Sequence, residues 1–255
     1  MRRISEIAAL VFGAWLVVAG PAHAAEVTVA VAANFAAPMK RIAADFERET
    51  GHQAKLSFGG TGSFYAQIKN GAPFDVLLAA DTKTPALLID DGLAVPGSAF
   101  TYATGRLALW SKQPGLVDAQ GEVLASEKLS RIAIADPKLA PYGQAAYEVI
   151  ARLGLTQTLA RKLVQGKNIA QTFQFVSSGN AQLGFVALSQ VFANGKLKEG
   201  SGWIVPNDYH APIKQDAVLV AGSQSNLAAV ALLDYLKSDQ ARQVIASFGY
   251  QIDPP

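Results

Sequence analysis

Short apolar segments that lead into a polar turn and then a helix are the feature that most restricts the fold of this chain. Residues 27–32 (VTVAVA) form a continuous, mostly apolar segment, too hydrophobic for a strand with one face in water. Asn34 follows as a helix cap, and apolar residues then recur at helical spacing until Gly51. Comparable segments begin at residues 54, 74 and 131. This alternation of strands and helices predicts an α/β fold, with each sheet buried between helices.

The length of the chain, 255 residues, fits one large domain or two modest ones. Two extended segments, residues 103–110 and 216–222, are predicted to run between two sheets. Two such crossings predict two α/β lobes joined by a double-crossing hinge. We expect lobe 1 to contain residues 25–105 and 222–255, and lobe 2 to contain residues 106–221.

The first 24 residues have the three-part pattern of a secretory signal peptide. A basic start at Arg2 and Arg3 precedes an apolar stretch, residues 7–18, and small residues then surround the predicted cleavage position after Ala24. The alternative is an N-terminal membrane anchor, but a spanning helix needs roughly 20 apolar residues and this stretch is shorter. We therefore predict residues 1–24 to be a signal peptide and the rest of the chain to be exported.

Composition argues against several classes of function. The chain has 22 basic and 20 acidic residues, so it lacks the basic excess that is typical of nucleic-acid-binding proteins. It has no cysteine, which excludes disulfides, thiolate zinc sites and cysteine nucleophiles. Beyond the predicted signal peptide it has only His52 and His210, and it has neither a G-x-S-x-G nor an H-E-x-x-H motif. We expect no nucleic-acid partner, no catalytic residues and no cofactor, with a secreted α/β hydrolase as a less favoured alternative.

Four turns that follow predicted strands form the candidate binding site. In open α/β sheets, ligands lie beyond the carboxyl ends of the strands, where helices begin. Free backbone N–H groups and the helix dipole attract anions there. The four turns are residues 32–35 (AANF), 58–63 (FGGTGS), 140–144 (APYGQ) and 166–170 (GKNIA). The glycine-rich second turn lacks the lysine of a nucleotide P-loop and the spacing of the dinucleotide fingerprint, so it does not predict a nucleotide site.

The side chains in these turns are almost all neutral. Lys167 is the one charged side chain among them, and no carboxylate lies within them. The neutral hydrogen-bonding side chains are Asn34, Thr61, Ser63, Tyr142, Gln144 and Asn168. A fully ionised oxyanion needs only donors, whereas a protonated one also needs an acceptor such as a carboxylate. The turns therefore predict a site for a dianion without bound protons.

Five stretches of the chain carry a resemblance to a known family, namely VAVAANFAAPM, LSFGGTGSFYAQIKNGAPFDVLLAAD, RIAIADPKLAPYGQAAYEVIARLG, QLGFVALS and LLDYLKSDQARQVIASFGY. They resemble the periplasmic molybdate-binding proteins of bacterial ABC transporters. The similarity extends over essentially the whole chain after the predicted signal peptide. The resemblance implies a type II periplasmic binding protein fold that encloses molybdate, and also tungstate, between its lobes. It further implies a periplasmic monomer that delivers the anion to a membrane permease.

The resemblance also assigns contacts to the anion by position. Asn34 falls at the first contact, and Thr61 falls where the family commonly uses a serine hydroxyl and N–H group. Tyr142 and Ile169 fall at positions that are used mainly through the backbone N–H. Neighbouring residues of the same turns are further candidates, namely Ala33, Phe35, Gly60 and Asn168.

Two positions depart from the pattern of the family. Ala33 stands where members with asparagine at the first contact often have threonine, which removes one hydroxyl group. Ala187 stands where some members place a tyrosine. Sulfate presents the same four oxygen acceptors as molybdate and differs mainly in size, so it remains the alternative ligand.

Overall fold

The structure is a computed structural model that describes residues 24–252. The predicted signal peptide, residues 1–24, lies outside the described residues except for Ala24. Within the described range, no helix combines the length and the apolar character required to cross a membrane. The described chain forms two α/β lobes, each built around one mixed sheet.

Strands and helices alternate through most of the chain, as the sequence predicts. In chain order the strands are β1 (Glu26–Ala32), β2 (Gln53–Gly59), β3 (Val76–Leu78), β4 (Phe100–Gly105), β5 (Leu107–Ser111), β6 (Ile132–Ala135), β7 (Leu163–Gly166), β8 (Leu183–Ala187), β9 (Phe192–Ala193), β10 (Lys196–Leu197), β11 (Ser201–Ile204) and β12 (Ile213–Leu219). The helices are α1 (Ala36–Thr50), α2 (Thr61–Lys69), α3 (Lys83–Asp90), α4 (Pro141–Arg152), α5 (Thr156–Leu159), α6 (Ile169–Ser177), α7 (Leu188–Val191), α8 (Leu227–Leu236) and α9 (Asp239–Ser247). Short 3-10 turns lie at Ala33–Phe35, Glu122–Ala125 and Asn207–Tyr209.

Lobe 1 is built around a sheet with the strand order β2-β1-β3-β12-β4. β1 is parallel to β2 and β3, whereas β12 runs antiparallel to both of its neighbours. Helices α1, α8 and α9 pack on the face to which Val27, Val29 and Val31 point, and α2 and α3 pack on the face to which Ala30 points. Both faces of β1 are therefore buried, which explains why its sequence is apolar nearly throughout.

Lobe 2 is built around a sheet with the strand order β11-β5-β8-β6-β7. β6 is parallel to β7 and β8, and β5 is antiparallel to β8 and β11. Val149 of α4 shares a buried cluster with Ile134 of β6, and Val176 of α6 shares another with Ala133, so the two helices cover opposite faces. Because α4 follows β6 and α6 follows β7, both helices begin at the same carboxyl edge of the sheet.

The chain crosses between the two sheets twice. The first crossing is at Arg106, between β4 in lobe 1 and β5 in lobe 2, and it lies within the predicted segment 103–110. The second crossing runs from the end of β11 to the start of β12, residues 205–212, and not through the predicted segment 216–222. The chain therefore crosses twice between the sheets, but the second crossing lies earlier in the sequence than expected.

The position of β12 corrects the predicted lobe boundary at residue 221, which placed this strand in lobe 2. β12 pairs with β3 and β4 and so belongs to lobe 1. β12 begins at Ile213, before the apolar residues at its end. Its first residues alternate in burial, with Ile213 and Gln215 buried and Lys214 exposed between them, as is typical of a strand. In lobe 2, α5 ends at Leu159, and β7 follows it as a half-exposed edge strand.

Candidate anion-binding site

A small cavity lies between the lobes, where the carboxyl ends of β1 and β2 face the N-termini of α4 and α6. The cavity volume, taken as the space that the centre of a water molecule can occupy, is ≈ 20 Å³. This is slightly more than one water molecule requires. Residues of both lobes line it, namely Ala32, Ala33, Asn34, Gly59, Gly60, Thr61, Ala80, Ala140, Pro141, Tyr142, Asn168 and Ile169. A space of this size suits a ligand of a few atoms and not a sugar or a peptide.

Several backbone N–H groups at the cavity belong to the first turn of a helix, where no intrahelical acceptor exists. They are the N–H groups of Asn34, Thr61, Tyr142 and Ile169, and none of them has an acceptor among residues 24–252. Two of these groups come from lobe 1 and two from lobe 2. The cavity therefore presents unpaired donors from both sides.

The caps of the helices explain why these N–H groups remain free. Gly60 precedes α2 and Ala140 precedes α4, and neither residue provides a side-chain cap. Asn168 caps α6 by accepting hydrogen bonds from the N–H groups of Ala170 and Gln171, both at 3.0 Å, and so it leaves the N–H of Ile169 unused. The N-termini of α2, α4 and α6 thus direct the positive ends of their dipoles at one cavity.

The hydroxyl group of Thr61 is held as a donor towards the cavity. Thr61 is buried at the start of α2, and its Oγ1 accepts a hydrogen bond from the N–H of Ala80 at 2.9 Å. Ala80 lies two residues beyond the end of β3, so a helix and a strand together fix the position of the hydroxyl. Because the oxygen already accepts from Ala80, its single proton is available to a ligand oxygen.

None of the described residues that line the cavity carries a formal charge. Burial raises the pKa of the Tyr142 hydroxyl well above its usual range, so this group is neutral as well. Two carboxylates close to the lining in sequence are engaged elsewhere. Asp81 accepts from the N–H of Thr84 at 2.8 Å, and Asp136 accepts from the N–H of Lys138 at 2.9 Å. The cavity therefore offers donors and no charged acceptor.

The structure brings most of the residues predicted from the sequence to this cavity, namely Ala33, Asn34, Gly60, Thr61, Tyr142, Asn168 and Ile169. Phe35 is a correction. Its ring is buried in lobe 1 against Tyr102, with 4.7 Å between ring centroids, and against Tyr250, with 5.5 Å. The residue after the turn thus fills the core at the start of α1 and does not face the cavity. Ala187 ends β8 and is not part of the lining either.

A buried hydrogen-bond network behind Asn34 has no counterpart among the predictions from the sequence. The Nδ2 group of Asn34 donates to Gln215 Oε1 at 2.8 Å and to the Tyr250 hydroxyl at 3.0 Å. The backbone carbonyl oxygen of Asn34 accepts a hydrogen bond from the Ser189 hydroxyl at 2.8 Å. The Asn34 side chain is therefore directed into the core, and the backbone N–H is the donor left for the cavity. The partners lie 155 to 216 residues away in the chain, so no local pattern links them.

The chain matches known proteins over nearly its whole length. Residues 27–251 match the family model described as bacterial extracellular solute-binding protein. The chain is 58% identical over 229 residues to the molybdate-binding protein ModA of Azotobacter vinelandii, an alignment that covers 90% of this chain and 91% of that protein. It is 52% identical over 230 residues to ModA of Rhodobacter capsulatus, with 90% of each chain covered.

The comparison with solved structures agrees with these sequence matches. The periplasmic molybdate-binding protein of Azotobacter vinelandii has a TM-score of 0.86 at 41% identity, and the match covers 89% of this chain and 100% of that one. The sulfate-binding protein SubI of Mycobacterium tuberculosis has a TM-score of 0.72 at 14% identity over 89% of this chain and 86% of its own, which shows a shared fold alone. The predicted type II periplasmic binding protein fold is confirmed, as is the prediction of a binding protein and not an enzyme.

Proposed function

The chain belongs to the family of bacterial extracellular solute-binding proteins, and on that basis we propose that it binds molybdate between its lobes and delivers it to the permease of an ABC transporter. The observation that carries the proposal is a small cavity lined by unpaired N–H groups from both lobes and by the Thr61 hydroxyl, with no charged acceptor in its lining. The two relatives at 58% and 52% identity are named molybdate-binding proteins, which supports the choice of anion. We include tungstate because it presents the same tetrahedral dianion.

The chemistry of the lining matches that of a fully ionised oxyanion. The oxygens of a tetrahedral dianion accept hydrogen bonds and donate none. The N–H groups of Asn34 and Thr61 approach from lobe 1, and those of Tyr142 and Ile169 approach from lobe 2. A protonated anion would place an O–H donor opposite these N–H donors, so that the two donors face each other without an acceptor. An unpaired buried polar group costs about 1–3 kcal/mol. Selection against protonated anions therefore follows from a lining without charged acceptors.

Ligand binding and release depend on closure of the lobes. Because each lobe supplies only part of the donor set, the full set surrounds the anion only when the lobes are together. The crossings at Arg106 and residues 205–212 provide the hinge. Closure replaces water around the anion by oriented donors, and the closed form is the one presented to the permease.

We also propose that residues 1–24 direct export and that the mature chain works in the periplasm as a monomer. The related solved structure from Azotobacter vinelandii is described as a periplasmic protein, which supports the location. Light scattering coupled to size-exclusion chromatography of the mature chain should give the mass of one protomer, and the mass of a dimer would contradict the monomer.

Calorimetric titration of the ligand-free mature protein with molybdate, tungstate, sulfate and phosphate tests the proposed ligand. Molybdate and tungstate should bind with similar affinity. Phosphate carries a proton near neutral pH and should bind about 10- to 100-fold more weakly than molybdate. Sulfate should also bind more weakly, because its shorter bonds leave its oxygens farther from donors that are fixed on opposite lobes. Sulfate binding as tight as that of molybdate would favour the sulfate alternative, and no binding of any of the four would overturn the site.

Asp81, which borders the cleft, gives a pH-dependent prediction. Burial raises its pKa above the ordinary value and the charge of Asp216 adds to this, although hydrogen bonds from Thr84 oppose it. A carboxyl group with a higher pKa in the folded state binds more protons when folded. Its stabilising contribution is therefore present at low pH and is lost as the pH rises through the folded-state pKa.

Asp81→Asn removes this titration and keeps an oxygen acceptor for the N–H of Thr84. The free energy of unfolding of the variant, relative to the wild type, should therefore increase between about pH 4 and about pH 7. Urea denaturation at both pH values measures it. Asp90→Asn, at an exposed position of α3, is the control for the loss of one carboxylate from this part of lobe 1. A relative stability of Asp81→Asn that falls with rising pH would contradict the assignment.

A further inference from the structure

Gln215 connects the two halves of the candidate site without lining it. Its side chain is fully buried in β12. The Oε1 atom accepts hydrogen bonds from Asn34 Nδ2 at 2.8 Å and from the Tyr102 hydroxyl at 3.0 Å. The Nε2 group donates to the Tyr142 hydroxyl at 3.0 Å. One amide group thus contacts a residue of the first turn, in lobe 1, and a residue at the start of α4, in lobe 2.

Two local features of the backbone place the Gln215 side chain at this point. The pairing of β12 with β4 shifts register between Gln215 and Asp216, and a bulge of this kind redirects the side chains next to it. Gly105, at the end of β4, leaves room for the contact, because a Cβ atom there would overlap the Tyr142 hydroxyl and Gln215 Nε2. The crossing between the lobes is therefore shaped around the Gln215–Tyr142 hydrogen bond.

We propose that Gln215 is a positioning residue for oxyanion binding, which holds Asn34 and Tyr142 in place so that their backbone N–H groups face the same anion. The inference rests on the proposed function, since it assumes that the cavity between the lobes holds the anion. The Gln215–Tyr142 bond spans the lobes, so its loss favours opening and speeds ligand release. The encounter with the open cleft does not use this bond, so the association rate is unaffected.

Stopped-flow kinetics with molybdate on the mature chain tests this role. Tyr142→Phe removes the hydroxyl group and keeps both the ring and the backbone N–H. Its dissociation rate should rise about 5- to 10-fold with an unchanged association rate, as expected for one buried hydrogen bond. Gln215→Met keeps the length of the side chain and removes all three hydrogen bonds, and it should raise the dissociation rate at least as much. Tyr147→Phe, on the same helix but outside the cavity lining, is the matched control and should release molybdate at the wild-type rate.

The double variant and the ligand-free protein separate positioning from a general loss of stability. If the two groups act as a pair, Tyr142→Phe should raise the dissociation rate less in the Gln215→Met background than in the wild type, and only the contact of the Tyr142 hydroxyl with Tyr250 should contribute there. The melting temperature of ligand-free Tyr142→Phe should stay within about 2 °C of the wild type, because the bond acts in the closed form. Additive effects, or wild-type release rates in both single variants, would overturn the inference and leave the proposed function standing. Wild-type protein that binds no molybdate would overturn the proposed function itself.

Discussion

Replacing Gly60 by leucine should lower the affinity for molybdate about 100-fold or more while leaving both lobes folded. The backbone of Gly60 is extended, with φ −81° and ψ 142°, so any residue can adopt it. A Cβ atom at this position would lie 3.3 Å from the Cβ of Asn168 in the opposite lobe, closer than ordinary contact. The remaining carbons of leucine would then occupy the space in which the lobes meet. The substitution therefore acts on closure and not on the packing within lobe 1.

Calorimetry with molybdate and thermal unfolding of the ligand-free protein together check the Gly60 prediction. Ala66→Leu is the control, because it adds the three carbons that leucine carries beyond Cβ at an exposed position of α2. It should bind molybdate as the wild type does. Gly60→Ala should fall between the wild type and Gly60→Leu, since Asn168 has to move by only a few tenths of an ångström. Wild-type affinity in Gly60→Leu would show that binding does not require the lobes to meet at this point.

Replacing Thr61 by valine or alanine should weaken molybdate binding by about 1–3 kcal/mol, or about 10- to 100-fold. Both changes remove the hydroxyl proton that the Ala80 contact leaves for the ligand. Valine keeps nearly the same shape, so its effect isolates the hydrogen bond from the packing. Thr61→Ser keeps the hydroxyl group and should retain most of the affinity.

The Thr61 series also has an internal check in the ligand-free protein. Because the N–H of Ala80 loses its acceptor in Thr61→Val, the free energy of unfolding should fall by about 1–3 kcal/mol even without ligand. Ser63→Ala, which removes a hydroxyl two residues further along α2 and outside the cavity lining, should bind molybdate normally. Affinity that is unchanged in Thr61→Val would remove Thr61 from the site.

The sequence predicts those parts of the fold that local patterns determine. β1 is an apolar run buried on both faces, and it is followed by a turn with unpaired N–H groups, so both the strand and the position of Asn34 can be predicted. The same holds for Thr61, which follows a glycine-rich turn at the start of a helix. The pattern of strand, turn and helix also indicates the turns that contain Tyr142 and Ile169, and the resemblance to a known family then adds the ligand and the individual contacts.

The features that the sequence does not predict depend on contacts between distant parts of the chain. The first half of β12 (IKQD) is mostly polar and has no apolar run, so its place inside the sheet of lobe 1 follows only from its pairing with β3 and β4. Gln215 is polar and yet fully buried. Its hydrogen-bond partners come from three separate segments of the chain, so no local pattern predicts that it is buried. Phe35 stands next to a predicted contact and nevertheless belongs to the core, since one residue along a turn is enough to reverse the direction of a side chain.

The place of β12 between β3 and β4 in the lobe 1 sheet also affects the order in which the protein can assemble. The strands of lobe 2 lie in one continuous stretch, residues 107–204, whereas lobe 1 needs β12, α8 and α9 from the last part of the chain. If residues 1–24 direct export as we propose, lobe 2 can complete its sheet during N-terminus-first translocation while β3 and β4 still lack the strand that pairs with both. Gln215, which holds Asn34, emerges only with β12, and Tyr250, its other partner, emerges later still. With export as proposed, the anion site is complete only when translocation is nearly finished, so capture of the anion can begin only in the compartment where it is collected.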